Sequence, residues 1–392
     1  MAHRLTAVAC GLAFLWAGNP ASAQPLPEGN TGIASHYPGD VGIASDNAVI
    51  YADDFEGYAS ASALDTNWNA GIYHNVSLTS VGANVYAGQK ALEFLSPQQS
   101  AELSNGVGRT VSPELDVLFL RYYSKYDPAF DVVGSSHNGG GISSHYFVNG
   151  NATPGVPANG TNKFLVEYEC WRGDVATPNP GDLNLYVYQP EQRSQWGDHF
   201  FPDGTVMPNT SVPGDFGLDF VPRPHIVPVL GRWYSYELMV KANTPGVRDG
   251  RIAVWLDGAL IADFPNLRLR DTTALTIDRF NLSLHIGSNT LSETRKWYDN
   301  VVAAKSYIGP MVPTGSTGGG TTTDAGATAD GGSPPGDAGT TPADGGAPAD
   351  AGIPNNGVAG GCGCRAGADL QAGTLGLFAA LGLLALPRRR RA

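Results

Sequence analysis

Between Gly231 and Arg270 the chain reads GRWYSYELMVKANTPGVRDGRIAVWLDGALIADFPNLRLR. Tyr234, Tyr236, Leu238 and Val240 fall at every second position, and so do Ile252, Val254 and Leu256. A period of two puts each set on one side of an extended strand, whereas a helix would bring together residues three and four apart. Asn243 to Gly250 supplies a turn between the two runs, and Asp257-Gly258 turns the chain back again. Such a segment has to be an antiparallel meander with one apolar face, and that face needs a second layer to cover it.

The same alternation recurs. It predicts strands at Val117 to Tyr126, Asn162 to Trp171, Leu183 to Tyr188, Arg232 to Ala242, Arg251 to Leu256, Arg279 to Ile286 and Lys296 to Tyr307. Helical periodicity is scarce, so the region from Ile33 to Gly309 reads as one all-β domain, a sandwich of two antiparallel sheets. Gln189 to Pro228 is long and rich in proline, and is expected to loop over one end of the sandwich. Cys170 is the only cysteine of this region and alternates with Val166 and Tyr168, which predicts a packed core thiol. The region carries 18 Lys and Arg against 29 Asp and Glu, so 18 − 29 = −11. That balance argues against a nucleic-acid partner.

The ends are built differently. Arg4, an apolar run from Leu5 to Ala17 and the small residues around Ala23 predict a signal peptide over residues 1–23. Residues 313–361 are mostly Gly, Ala, Thr, Pro, Ser and Asp. They cannot bury enough apolar surface to order themselves, so a disordered, flexible linker is expected there. Residues 362–392 begin with Cys362-Gly363-Cys364, continue through an uncharged stretch from Leu370 to Pro387 with the length of a transmembrane helix, and reach four arginines at Arg388 to Arg391. This order resembles the MYXO-CTERM sorting tail of myxobacterial surface proteins. The resemblance implies processing at Cys362 or Cys364 by a sorting protease, a membrane contact through the C-terminal helix, and display at the cell envelope or outer surface.

The Gly231 to Arg270 meander, with DDFEGY near the start of the domain and WYDNVVAAKSYIGP near its end, resembles the concanavalin A-like jelly rolls of polysaccharide lyases and related glycan-binding domains. The resemblance implies a jelly-roll fold, a polysaccharide partner and pairing of the first strand with the last. It also implies a structural calcium beside that pair. Asp54 and Glu56, which flank Phe55, and Asp299 are the candidate oxygen ligands.

Alternation also sorts the polar residues. Arg121, Tyr123 and Lys125 share a face, as do Lys163, Glu167, Glu169 and Trp171; Asn184, Tyr186 and Tyr188; and Asn281, Ser283 and His285. Aromatic rings can stack on sugars while forked donors hold hydroxyls or carboxylates, so these faces together predict a sugar-binding groove. For β-elimination on a uronate glycan, Arg121 or Lys125 with Asn184 would hold the carboxylate. His285 would take the proton, and Tyr123 or Tyr186 would protonate the leaving oxygen. Glu167, Glu169, Trp171 and Tyr188 would line the sugar. Two alternatives remain open: a lectin-like module without catalysis, and a glycosidase using Glu167 and Glu169 as its carboxylate pair. HNGGGISSH, from His137 to His145, reads as a flexible glycine loop. The chain has no HExxH, Walker loop or G-x-S-x-G, which disfavours metalloprotease, nucleotide-dependent and serine-hydrolase readings.

Overall fold

The computed structural model describes residues 25–314, except 74, 135, 174–176, 208–215 and 288. The expected signal peptide, linker and tail, with Ala23, Cys362 and Cys364, lie outside the described residues. No helix among the described residues is long and apolar enough to cross a membrane.

The described chain is strands joined by loops and short 3-10 turns. Its strands form two large antiparallel sheets. One runs Ala259–Leu267, Gly250–Leu256, Trp233–Lys241, Val117–Tyr126, Thr294–Ala304, Ala91–Ser96 and Val76–Thr79. Val49–Asp53 pairs with Thr294–Ala304, so the first long-range partner of the domain is its last strand. The other runs Val206–Met207, Asp198–Phe200, Asp182–Tyr188, Phe164–Trp171, Gly140–Ser144, Ile277–Ile286, Leu103–Leu115 and Ala70–Tyr73, with Ser136–His137 also paired to Ile277–Ile286.

The alternating apolar residues meet between the sheets. Leu118, Leu120 and Tyr122 from one face Val166, Tyr168 and Cys170 from the other, in a single buried core. Cys170 is a buried free thiol there, pushed up to about 12 by its burial. Long aromatic side chains cross the core. The Gly140 N–H donates to the Tyr122 hydroxyl at 2.9 Å, the Tyr126 hydroxyl donates to Asn138 Oδ1 at 2.6 Å, and the Tyr298 hydroxyl donates to the Ser283 carbonyl at 2.6 Å.

The back of the first sheet is covered by the chain itself. Ile33, Ala34, Ile43, Tyr307 and Ile308 pack on Phe119, Met239, Ala253 and Trp255. This cover removes Arg121, Tyr123 and Lys125 from any groove shared with Glu167 and His285, contrary to the sequence expectation. Arg121 is fully buried and ion-paired to Asp40 in the N-terminal cover. The Tyr123 hydroxyl accepts the Met311 N–H at 2.7 Å, while its ring stacks on Tyr86 at 3.6 Å. The Lys125 ammonium is held by the Ala83 carbonyl and Asn84 Oδ1. Beside Arg121, Glu237 accepts the N–H groups of Ile308 and Gly309, and burial raises it to about 7. These buried charges fasten both ends of the domain to its back.

Removing one partner of a buried ion pair leaves the other uncompensated. Arg121→Met should therefore lower stability by about 3–5 kcal/mol in urea unfolding. A wild-type midpoint would show that the pair contributes nothing.

Candidate active-site groove

The outer face of the second sheet is covered only in part, where Tyr146 and Ala158 pack on Leu165, Tyr186 and Tyr188. Cross-strand register lines its residues up in rows. One row reads His199, Tyr186, Glu167, Gly141, Asn281 and Gly108 across six adjacent strands. The next includes Tyr188, Leu165, Ser143, Arg279 and Thr110. At the other end His285 lies opposite both Ser104 and His137.

Glycines make this face concave. A Cβ on Gly141 would stand 2.4 Å from the Glu167 carboxyl, and one on Gly108 would stand 2.3 Å from the Arg279 guanidinium. On the core side, a Cβ on Gly140 would meet the Tyr122 ring at 2.3 Å. HNGGGISSH is therefore not a free loop. Ser136–His137 and Gly140–Ser144 are strands of the sheet, and Asn138 pins the bend between them by donating to the Cys170 carbonyl at 2.8 Å.

Beside these covered glycines lies a cavity of about 300 Å³, lined among others by His137, Glu167, Arg279, Asn281 and His285. A hairpin, Phe147–Val148 with Asn151–Ala152, walls one end. Its tip residues Asn149 and Gly150 take the positive φ of a tight turn, 52° and 80°. The Arg279 guanidinium sits 3.9 Å from the centre of the Phe147 ring.

The titratable side chains are ordered by their partners. Glu169 Oε2 lies 2.9 Å from His137 Nδ1. When Glu169 is ionised it can only accept, and the contact then puts the ring proton on Nδ1. The His137 ring packs 4.6 Å from Tyr186 and 5.4 Å from His285. His285 Nδ1 is 2.5 Å from Ser104 Oγ. His199 is buried, held by Asn184 Oδ1 at 2.9 Å, and lowered to about 3 by its burial, so it stays neutral. Asn281 Nδ2 donates to Glu167 Oε1 at 2.9 Å, and burial raises Glu167 to about 8. Lys163, packed over Tyr146 and Tyr188 and bound to Thr153, is lowered to about 8 by burial.

Of the expected site residues, the cavity brings together His285 and Glu167. Glu169 and Tyr186 stand behind His137, and the Tyr186 hydroxyl accepts the Gly197 N–H at 3.0 Å. Asn184 and Tyr188 share the face but are buried, Asn184 against His199 and Tyr188 under Lys163 and Tyr146, and Trp171 does not line the cavity, contrary to their expected contact with substrate. Trp171 stacks on His199 at 4.5 Å. Glu169 is buried beneath His137 and does not line the cavity, so the two glutamates do not face a common space. His137, Arg279 and Asn281 carry more of the site than the sequence assigned them. The signal was present in the triple glycine after His137, which marks close backbone approach as readily as flexibility.

The expected calcium ligands act as loop anchors. Glu56 Oε1 accepts the N–H groups of Gln89 and Lys90, Asp299 Oδ2 those of Tyr86 and Ala87, and Asp54 Oδ1 that of Glu56. Burial raises Asp299 to about 7. Among the described residues no group of three or more His, Cys, Asp or Glu side chains is arranged to hold a metal ion.

No family model matches the chain, and no curated protein matches it. Solved structures that resemble it include a marine alginate lyase from Aplysia kurodai, with 15% identity and a TM-score of 0.49 over 66% of this chain and 99% of that one. An alginate lyase from Chlorella virus has 15% identity and a TM-score of 0.47 over 66% and 99%. An endo-beta-1,4-glucuronan lyase from the fungus Trichoderma reesei has 15% identity and a TM-score of 0.40 over 66% and 96%. Likenesses this weak carry no argument about chemistry, which rests on the side chains of the groove.

Burial makes Glu167 bind its proton more tightly in the folded chain than in the unfolded one, where it titrates near 4.5. Its contribution to stability is whole below that value and is lost as pH rises through about 8. Between about pH 5 and pH 8, wild-type stability should fall more steeply than that of Glu167→Gln, by up to about 1 kcal/mol per pH unit. Urea midpoints across a pH series measure this, and parallel curves would mean that Glu167 is already ionised in the fold.

Proposed function

We propose that the chain is an exported, surface-anchored polysaccharide lyase that acts by β-elimination on a uronate-containing glycan bound in this groove. The observation that supports this most is the His137–Glu169 contact at the wall of a cavity that also contains His285 and Arg279. In β-elimination a base takes the proton beside the uronate carboxyl. The electron pair forms a carbon–carbon double bond, the neighbouring carbon–oxygen glycosidic bond breaks, and the departing oxygen gains a proton. A base with a defined tautomer, a cation for the carboxylate and a second proton carrier are the groups required.

His137 serves as the base through Nε2, with Glu169 stabilising the imidazolium that forms. Arg279 holds the carboxylate, whose negative charge grows as the proton leaves. His285, stacked on His137, delivers the proton to the leaving oxygen. Trp171, half-buried on the same face, extends it toward further sugar units, whereas Tyr188 is buried beneath Lys163 and Tyr146. The concanavalin A-like jelly-roll resemblance of the sequence points the same way.

A non-catalytic glycan-binding module is the rival. The half-buried Trp171 ring on this face favours it, since an aromatic ring suits sugar binding without any proton transfer. Ultraviolet absorbance of unsaturated uronate ends separates the two on alginate, glucuronan and glycosaminoglycans. The wild type should generate that absorbance, and His137→Ala should lower kcat by about 10²–10⁴-fold. Binding with no absorbance on any of these would leave the binding module, and full activity in His137→Ala would remove His137 as the base.

Export and anchorage rest on the sequence at the two ends of the chain. Truncation after Gly361 should move the protein from the envelope to the medium, which immunoblotting of cell fractions reads directly. Retention of the truncated chain at the envelope would remove the tail as its anchor.

A further inference from the structure

We propose that Glu167, as a neutral carboxylic acid held by Asn281, is the residue that recognises the sugar carboxylate, donating its Oε2 proton to a uronate oxygen. This rests on the reading of the groove as a uronate site, and adds to Arg279 a recognition element of a different kind.

Glu167 and Asn281 are 5% and 6% exposed, and both line the cavity. The Asn281 Nδ2 donates to Glu167 Oε1. That leaves Glu167 Oε2 and Asn281 Oδ1, which are buried and have no hydrogen-bond partner among the described residues. Both residues flank Gly141 in register, and Gly108 follows Asn281. The Glu167 carboxyl lies over Gly141 and the Arg279 guanidinium over Gly108, so the two glycines give these side chains room to lie along the wall of the cavity.

Burial favours the protonated form against most of the charges around it. Glu169 lies on the same strand, His137 comes from Ser136–His137, Arg279 and His285 from Ile277–Ile286, and Tyr186 from Asp182–Tyr188. Glu102 lines the cavity just ahead of Leu103–Leu115. Burial raises the carboxyl to about 8, outweighing the Asn281 hydrogen bond and the His137 and Arg279 charges, which all lower it, while Glu169 adds to the rise.

A neutral acid offers one donor at Oε2, and Asn281 Oδ1 offers one acceptor. A uronate has the complement: a carboxylate oxygen to accept and a ring hydroxyl to donate. Hydrogen bonds to an ionised acceptor are shorter and stronger than neutral ones, so a carboxylate is preferred at this point over the primary hydroxyl of a neutral sugar. The same donor gains strength as charge builds on the carboxyl during proton removal. Once Glu167 ionises, two carboxylates face each other and the recognition is lost.

The test measures binding of alginate and glucuronan oligosaccharides by calorimetry at about pH 6 and about pH 9.5. It uses the full chain carrying His137→Ala to stop turnover, with and without Glu167→Gln, and melting curves establish that both proteins are folded. With Glu167 present, Kd should rise about 30-fold between the two pH values, tenfold per unit above the carboxyl's pKa. With Gln, which donates but does not titrate, binding should be weaker at pH 6 and independent of pH. Equal Kd values at both pH values with Glu167 present, or the same rise in the Gln variant, would overturn the proposal. Failure of every uronate oligosaccharide to bind would remove the uronate reading and this inference with it. Binding in the expected pattern, beside a wild type that forms no unsaturated product, would support the recognition role and remove the lyase.

Discussion

The groove depends on tyrosines that belong to the other sheet. Tyr122, Tyr126 and Tyr298 extend through the whole core, and their hydroxyls meet Gly140, Asn138 and Ser283 on the sheet opposite. A buried phenol needs a partner, and a strand of glycines has little side-chain packing to fix it. Each need answers the other. The tyrosines hold the glycine backbone from below, and its upper side carries the Glu167 carboxyl that lines the cavity. His137 is placed by the same device, because Asn138 next to it takes the Tyr126 hydroxyl and donates to the Cys170 carbonyl.

A two-sheet sandwich has four faces, and each has to be covered or made polar. The inner two cover one another. The back of the first sheet takes the N-terminal segment and the chain after Thr294–Ala304, fastened by buried charges at Arg121, Asp40 and Glu237. The outer face of the second sheet is covered in part by Tyr146 and Ala158, and the rest of it lines the cavity. Its polar residues are buried all the same, since Glu167, Glu169, Asn184 and Lys163 are each almost inaccessible. Both outward faces thus carry buried polar side chains, and what separates them is whether the chain's own segments fill the space above.

That distinction explains what the sequence could and could not reveal. Period two says which residues of one strand share a side, and it sorted Glu167, Asn184, Tyr186 and His285 onto one face. It says nothing about which sheet a strand joins. Arg121, Tyr123 and Lys125 also point outward, but from Val117–Tyr126 in the other sheet. Assigning strands to sheets takes long-range pairing, such as Glu237 opposite Arg121, and a local pattern does not encode it. Strands with clean alternation were legible to within two or three residues at each end. Gly140–Ser144 was not, because glycine and serine carry no hydrophobic signal, and the loop reading of HNGGGISSH followed from that.

Charge gives the last constraint. The domain is strongly acidic, and a long-range field of that sign opposes an acidic polymer. In salt the field of distant surface charges decays within about 10 Å, so binding is decided by what lines the groove. There Arg279 faces the cavity, His199 is neutral, Glu169 is shielded behind His137, and Glu167 is held as an acid by its burial. Of the three carboxyl-bearing side chains nearest the histidines, one is shielded and one is neutral at pH 7; the third, Glu102, sits at the rim ahead of its strand. The local balance around Arg279 is therefore far less negative than the composition suggests. Burial, which costs stability as pH rises through the titration of Glu167, is the same property that lets an acidic protein present a hydrogen-bond donor where an anion would sit.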